Sequence, residues 1–158
     1  MSETRRVVVS SLTLSAAVGI FALSFGVASV SAGASVWQTC ALSLFVFTGA
    51  SQFSAMSVVG AGGSMLAAYG GAVLLAARNL VYGLALSSSA KSVAGNLPRR
   101  LFAAHFVIDE TTALALAESS PKLRKIAFWT TGIGLFSFWN LGTLIGALAG
   151  SAIDPQKF

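Results

Sequence analysis

Two carboxylates, Asp109 and Glu110, stand side by side within the otherwise apolar stretch 101–117. At the centre of a membrane helix each would cost roughly 2.5–3.5 kcal/mol, against a gain of only about 0.5 kcal/mol per leucine. Such a group therefore needs a proton, water or a partner. If the stretch is one continuous helix, His105 lies one turn before Asp109 on the same face, which suits a proton or substrate relay. The competing reading is a short half-helix whose carboxylates sit among lipid headgroups. Arg78, with Asn79 beside it and Tyr82 one turn on, falls in the middle of another apolar stretch. A lone arginine there is expected to face protein, and Asp109 or Glu110 is the expected partner. The pair either lines a site or only fixes helix register.

A third polar group is Thr48, Gly49, Ser51 and Gln52. A glycine-bearing break there would free backbone N–H and C=O groups for a zwitterionic ligand, because a half-helix N-terminus attracts a carboxylate. Hydrogen bonding between packed helices is the alternative. Gly142, Gly146 and Gly150 form two successive GxxxG spacings, a device for close helix approach. The sequence lacks phosphate-binding glycine loops, CxxC pairs and HExxH. One histidine with two carboxylates makes a thin metal site, so no metal and no cofactor is expected. An intramembrane enzyme is the least favoured class.

The elements that position these groups follow from composition. The chain has 158 residues, 55% hydrophobic and 9% charged, where soluble domains carry about 25% charged residues. Mean hydropathy is +0.79. This excludes a soluble enzyme, a disordered regulator and a disulfide scaffold, and it predicts an all-α, polytopic integral membrane protein. Hydrophobic segments are expected at 7–31, 37–59, 64–89, 101–118 and 126–152, within one transmembrane domain. The net charge of +5 does not point to nucleic acid. Its basic residues, Arg5, Arg6, Lys91, Arg99, Arg100, Lys122, Arg124 and Lys125, lie between the apolar segments, as in loops retained on the cytoplasmic side. Cys40 is the single cysteine, so an intramolecular disulfide is excluded. The run after Arg6 exceeds a signal peptide's usual apolar core. A retained first helix is favoured over cleavage near Ala32, with a cytoplasmic N-terminus.

If all five segments cross, the loops 91–100 and 119–125 fall on opposite sides, and one basic loop breaks the orientation rule. If 37–59 and 101–118 are broken or re-entrant, both loops fall on the same side. That arrangement is favoured, because non-helical backbone at membrane depth requires surrounding protein or water, and these segments carry the most polar residues. A short internal echo supports it. Phe47-Thr48-Gly49-Ala50-Ser51-Gln52 and Phe106-Val107-Ile108-Asp109-Glu110-Thr111 each put polar groups midway along a hydrophobic segment, as repeated broken helices of transporters do.

Residues 45–53, Phe-Val-Phe-Thr-Gly-Ala-Ser-Gln-Phe, resemble a signature of the AzlC family of bacterial branched-chain amino-acid permease subunits. Arg78-Asn79-Leu80-Val81-Tyr82-Gly83, Asp109-Glu110-Thr111 and the stretch from Trp139-Asn140 to Gly146 agree in the same order. The resemblance runs from about Ser15 onward. It implies a secondary transport subunit in the bacterial inner membrane, exporting hydrophobic, branched-chain amino acids with proton coupling. On this reading Thr48, Gly49, Ser51, Gln52, Asn79, Tyr82 and Asn140 contact substrate. Arg78, His105, Asp109 and Glu110 carry ion pairing or proton coupling. The third segment departs from the family pattern: where Asn-x-Arg-His is common, this chain has Ala76-Ala77-Arg78-Asn79. Family members usually continue beyond the Asp154-Pro155 stretch, so these residues are expected to correspond to the N-terminal two-thirds of such a subunit. The resemblance implies a small AzlD-type membrane partner, or a homo-oligomer joined through the glycine face. A non-transporting assembly or channel-like subunit is the alternative function.

Overall fold

A computed structural model describes residues 2–153, and the Asp154-Pro155 stretch lies outside them. Among the described residues the secondary structure is helical, with no strand. The helices are α1 (Glu3–Ser31), α2 (Val36–Val46), α3 (Ala50–Gly60), α4 (Met65–Ala76), α5 (Arg78–Ser87), α6 (Ala90–Ala94), α7 (Leu97–Ala104), α8 (Asp109–Leu116) and α9 (Pro121–Ala152). Three stretches are long and apolar enough to cross a membrane: α1, the nearly continuous α4–α5 pair over Met65–Ser87, and α9.

The other two hydrophobic segments are both broken. Segment 37–59 becomes α2 and α3, separated by Phe47, Thr48 and Gly49, and 101–118 becomes α7 and α8, separated by residues 105–108. The arms are 11 residues each in α2 and α3, a length of about 16 Å. Those of α7 and α8 are 8 residues each, about 12 Å. No arm reaches across a hydrocarbon core of ~30 Å.

Two expected boundaries change. The basic stretch 91–100 is largely helical rather than a loop, containing α6 and the first turn of α7. Gly95, at φ 75°, ends α6; Asn96 then caps α7 by accepting from the Arg99 N–H at 3.3 Å, with Pro98 in the first turn. Helix α9 begins at Pro121 rather than 126, since proline suits the start of a helix, where its missing N–H costs nothing.

The described chain divides into two compact units, 1–17 with 78–136 and 18–77 with 137–158. In the first, the early turns of α1 run parallel to those of α9. Val7 packs on Leu123 and Ala127; one helical stretch further on, the Ser15 hydroxyl donates to the Ser11 carbonyl at 2.8 Å and reaches the Thr131 carbonyl at 3.4 Å. The ends of the other helices gather on this base. Arg6 Nη2 bonds both Glu118 oxygens, at 2.8 and 2.9 Å. Arg124 donates to the Ser89 hydroxyl at 2.7 Å, the Glu118 carbonyl at 2.9 Å and the Ala115 carbonyl at 3.3 Å. Trp129 Nε1 donates to the Val93 carbonyl at 2.9 Å. The start of α1, the ends of α5 and α8, α6 and the start of α9 thus share one end of this unit, and the basic loops lie together.

In the second unit the later turns of α1 and α9 form a seam without side-chain bulk. A Cβ on Gly146 would collide with the Leu23 carbonyl, one on Gly26 with the Thr143 carbonyl, and one on Gly150 would press on Val27. The glycine face is therefore occupied by α1 of the same chain. Buried hydroxyls bind α2 to the same pair, Ser29 with Thr39 at 2.8 Å and Ser43 with Thr143 at 3.2 Å.

Candidate functional site

In the second unit, α2 and α3 are the arms of a broken segment, and its tip is the break at residues 47–49. Phe47 is in the left-handed region at φ 39°, and is the one non-glycine residue with positive φ among those described. That conformation costs roughly 1–2 kcal/mol, and Phe47 keeps it while 1% exposed. Gly49, at φ 58°, completes the reversal. Gln52 holds the tip closed: its Oε1 accepts from the Gly49 N–H at 3.0 Å, and its Nε2 donates to the Leu42 carbonyl at 3.1 Å. The Thr48 and Ser51 hydroxyls bond to each other. No side chain caps α3 at Gly49, so the first-turn N–H groups and the positive end of the helix dipole stay available to an acceptor.

Aromatic rings enclose this tip. Trp139 lies against Gly49, with Phe25 stacked on it at 6.2 Å and Phe53 edge-on at 6.5 Å. The Trp139 Nε1 is buried and has no hydrogen-bond partner. Asn140, half-buried, follows it in α9. Beside the tip, α3 and α4 enclose an open cleft of about 330 Å³. Ser51 and Gln52 border it but are buried, and the surface it presents, from Ala55, Met56, Tyr69 and Ala72 among others, is almost wholly apolar.

In the first unit, α7 and α8 are the arms of a second broken segment, with its break, the second tip, at residues 105–108. Thr111 secures it as Gln52 secures the first. Its Oγ1 accepts from the Ile108 N–H at 3.1 Å and donates to the Phe106 carbonyl at 2.5 Å. Phe106 is buried against Phe102, Trp129 and Phe136, with ring centroids 5.3, 5.7 and 5.8 Å away. Asp109 and Glu110 open α8, where the helix dipole favours negative charge.

Asp109, rather than Glu110, is the partner of Arg78, with Nη2 to Oδ2 at 2.8 Å. Both side chains are 37% exposed, so the pair is accessible rather than sealed. The Tyr82 hydroxyl is beside the same carboxyl group, whose Oδ1 is buried without a hydrogen-bond partner. Asn79 and Glu110 are half-buried nearby in sequence. His105 does not share a helical face with Asp109, correcting the one-turn expectation. Helix α7 stops at Ala104, and the His105 ring packs on Phe106 and Phe136 at 5.5 and 5.6 Å.

The residues expected to act together are therefore grouped by unit. Thr48, Gly49, Ser51 and Gln52 are at the first tip; Arg78, Tyr82 and Asp109 meet at the second. Sequence reasoning overlooked Trp139 as the wall of the first tip, although the Trp-Asn pair was visible. It also overlooked the holding roles of Thr111, Glu118 and Arg124, which depend on contacts distant in sequence.

A family profile described as AzlC protein matches residues 13–153. Two proteins of Helicobacter pylori strains, each described as an uncharacterized membrane protein, are similar. One is 31% identical over 142 residues and the other 29% over 141, each alignment covering 87% of this chain. The chain spans 60% of the length of these relatives. No solved structure matches.

Proposed function

The chain belongs to the AzlC family, a membrane-transport family, and from that premise we propose that it is a subunit of a secondary transporter exporting branched-chain amino acids. The observation that carries the reading is the α3 tip with its adjoining cleft. Uncapped N–H groups at the start of α3 suit a carboxylate, while the apolar wall of the cleft suits a branched aliphatic side chain. Gln52 serves there by fixing the shape of the tip rather than by contacting substrate, since both ends of its amide are already bonded. The buried Trp139 N–H supplies a further donor at the same tip. Arg78 and Asp109 form the coupling element: protonating Asp109 weakens the pair and shifts the protein between two states.

The test is efflux from vesicles carrying the protein, with and without a small AzlD-type membrane subunit, which we propose as its partner. Leucine, isoleucine and valine leave faster than from protein-free vesicles. Ala72→Phe, which fills the cleft, slows all three by at least about tenfold without changing the extracted yield. Equal efflux from loaded vesicles with and without the protein, the partner being present, overturns the substrate assignment.

A second reading, an assembly subunit, is favoured by the half-exposed Arg78–Asp109 pair, because a charge pair at that depth requires protein or water rather than lipid. Asp109→Asn separates the readings. Loss of flux with an intact oligomer supports coupling; loss of the oligomer with flux unchanged supports assembly.

A further inference from the structure

A second cleft, of about 170 Å³, lies wholly in the first unit, between α5, α6, α7 and α9. Small residues line it, among them Gly83, Ala94 and Ala103, with Phe128 at one wall. A Cβ placed on Gly83 would meet nothing within 4 Å, so the helix surface there is open, and an alkyl chain can approach the backbone closely. The one charged residue in the lining is Arg100. Its Nε donates to the Gly95 carbonyl at 3.1 Å, which anchors the guanidinium while leaving both terminal nitrogens to face an anion.

The surroundings match. Residues 91–100 carry Lys91, Arg99 and Arg100 and no acidic residue. On α7, Leu97, Leu101 and Phe102 are 66%, 69% and 63% exposed, beside the exposed Arg99 and Arg100. A short helix presenting apolar and basic side chains together to the outside suits the boundary between acyl chains and headgroups. A basic pocket between membrane helices, with an apolar floor, has the chemistry of an anionic phospholipid site.

We propose that this cleft binds one anionic phospholipid, with an acyl chain against Gly83 and Ala103 and the headgroup phosphate on Arg100, supported by Lys91 and Arg99. The site is distinct from the cleft between α3 and α4 and does not depend on the transported substrate.

Native mass spectrometry on protein released from nanodiscs of mixed phosphatidylglycerol and phosphatidylcholine tests it. One phosphatidylglycerol is retained in preference to phosphatidylcholine. Arg100→Gln lowers that preference by about fivefold, the effect of one basic contact at an anionic surface. Ala103→Phe fills the floor and reduces retention of both lipids, while Lys122→Gln, outside the cleft, leaves the preference unchanged. Equal retention of the two lipids by the unaltered protein overturns the proposal, as does an unchanged preference in Arg100→Gln protein of normal elution profile. Displacement of phosphatidylglycerol by millimolar inorganic phosphate alone identifies a bare phosphate site and also overturns it.

Discussion

Gln52 and Thr111 occupy the same position in two separate broken segments: each is the third residue of the helix that follows a break. Each accepts a hydrogen bond from the backbone N–H of the residue just before that helix and donates to a carbonyl further upstream. The correspondence extends along the echoed hexapeptides, pairing Phe47 with Phe106, both buried, and Gly49 with Ile108. The residue before an Asn-Leu pair meets a break in each unit, Trp139 at Gly49 and Arg78 at Asp109. The same architecture thus presents an uncharged aromatic wall at one tip and an ion pair at the other.

Removing Thr111 leaves the buried Ile108 N–H unpaired and removing Gln52 leaves the part-buried Gly49 N–H unpaired, at a cost of up to about 1–3 kcal/mol. Gln52→Ala and Thr111→Val are expected to lower the unfolding temperature of detergent-extracted protein. Gln52→Glu keeps an acceptor for Gly49 but sets a carboxylate against the Leu42 carbonyl at a 1% exposed site, so it is expected to destabilise at least as much as Gln52→Ala. An unchanged melting profile in both Gln52→Ala and Thr111→Val proteins removes the locking role.

For the ion pair, Arg78→Gln and Asp109→Asn each strand the remaining charge at membrane depth. Each reduces the yield of monodisperse protein several-fold on size-exclusion chromatography. The double variant recovers part of that loss, because the interaction is shared. Strictly multiplicative losses would show that the two side chains do not depend on each other.

The α1–α9 seam predicts a contrast among glycines. Gly146→Ala drives a methyl group into the Leu23 carbonyl, whereas Gly70→Ala meets nothing within 4 Å. The first is expected to destabilise by ~1–3 kcal/mol, the range for overpacking, and the second to be close to neutral. Comparable melting temperatures for the two proteins contradict this packing.

The shared end of the basic loops predicts topology. In a Cys40→Ser background, single cysteines at positions 91 and 122 react with a membrane-impermeant maleimide from the same side. Labelling from opposite sides means that the segment between them crosses the membrane, and the re-entrant reading of 101–118 fails.

Much of this architecture is legible in the sequence because polar residues at membrane depth are costly. Thr48 through Gln52 and Asp109 with Glu110 marked both breaks, and the echo carried the right register. What remained hidden depends on three-dimensional placement. Spacing along one helix assigned His105 to Asp109, but the helix ends between them. Arg78 had two carboxylates to choose from, and only the approach of α5 to α8 selects Asp109. The basic stretch 91–100 reads as a loop in the sequence because its charges mask the Asn96 cap and Pro98, which start α7. The GxxxG face was correctly identified as a close-packing surface, yet no spacing rule names the helix that fills it.

That filling has a consequence for biosynthesis. Ser15 and Thr131, in contact across the parallel pair, are 116 residues apart in the chain. During translation α1 therefore enters the bilayer long before α9 exists, with Gly19, Gly26 and the carbonyls they expose still unmatched. Until α9 emerges, that groove lacks the helix that fills it, and the packing of α1 is complete only once Gly142, Gly146 and Gly150 have been made.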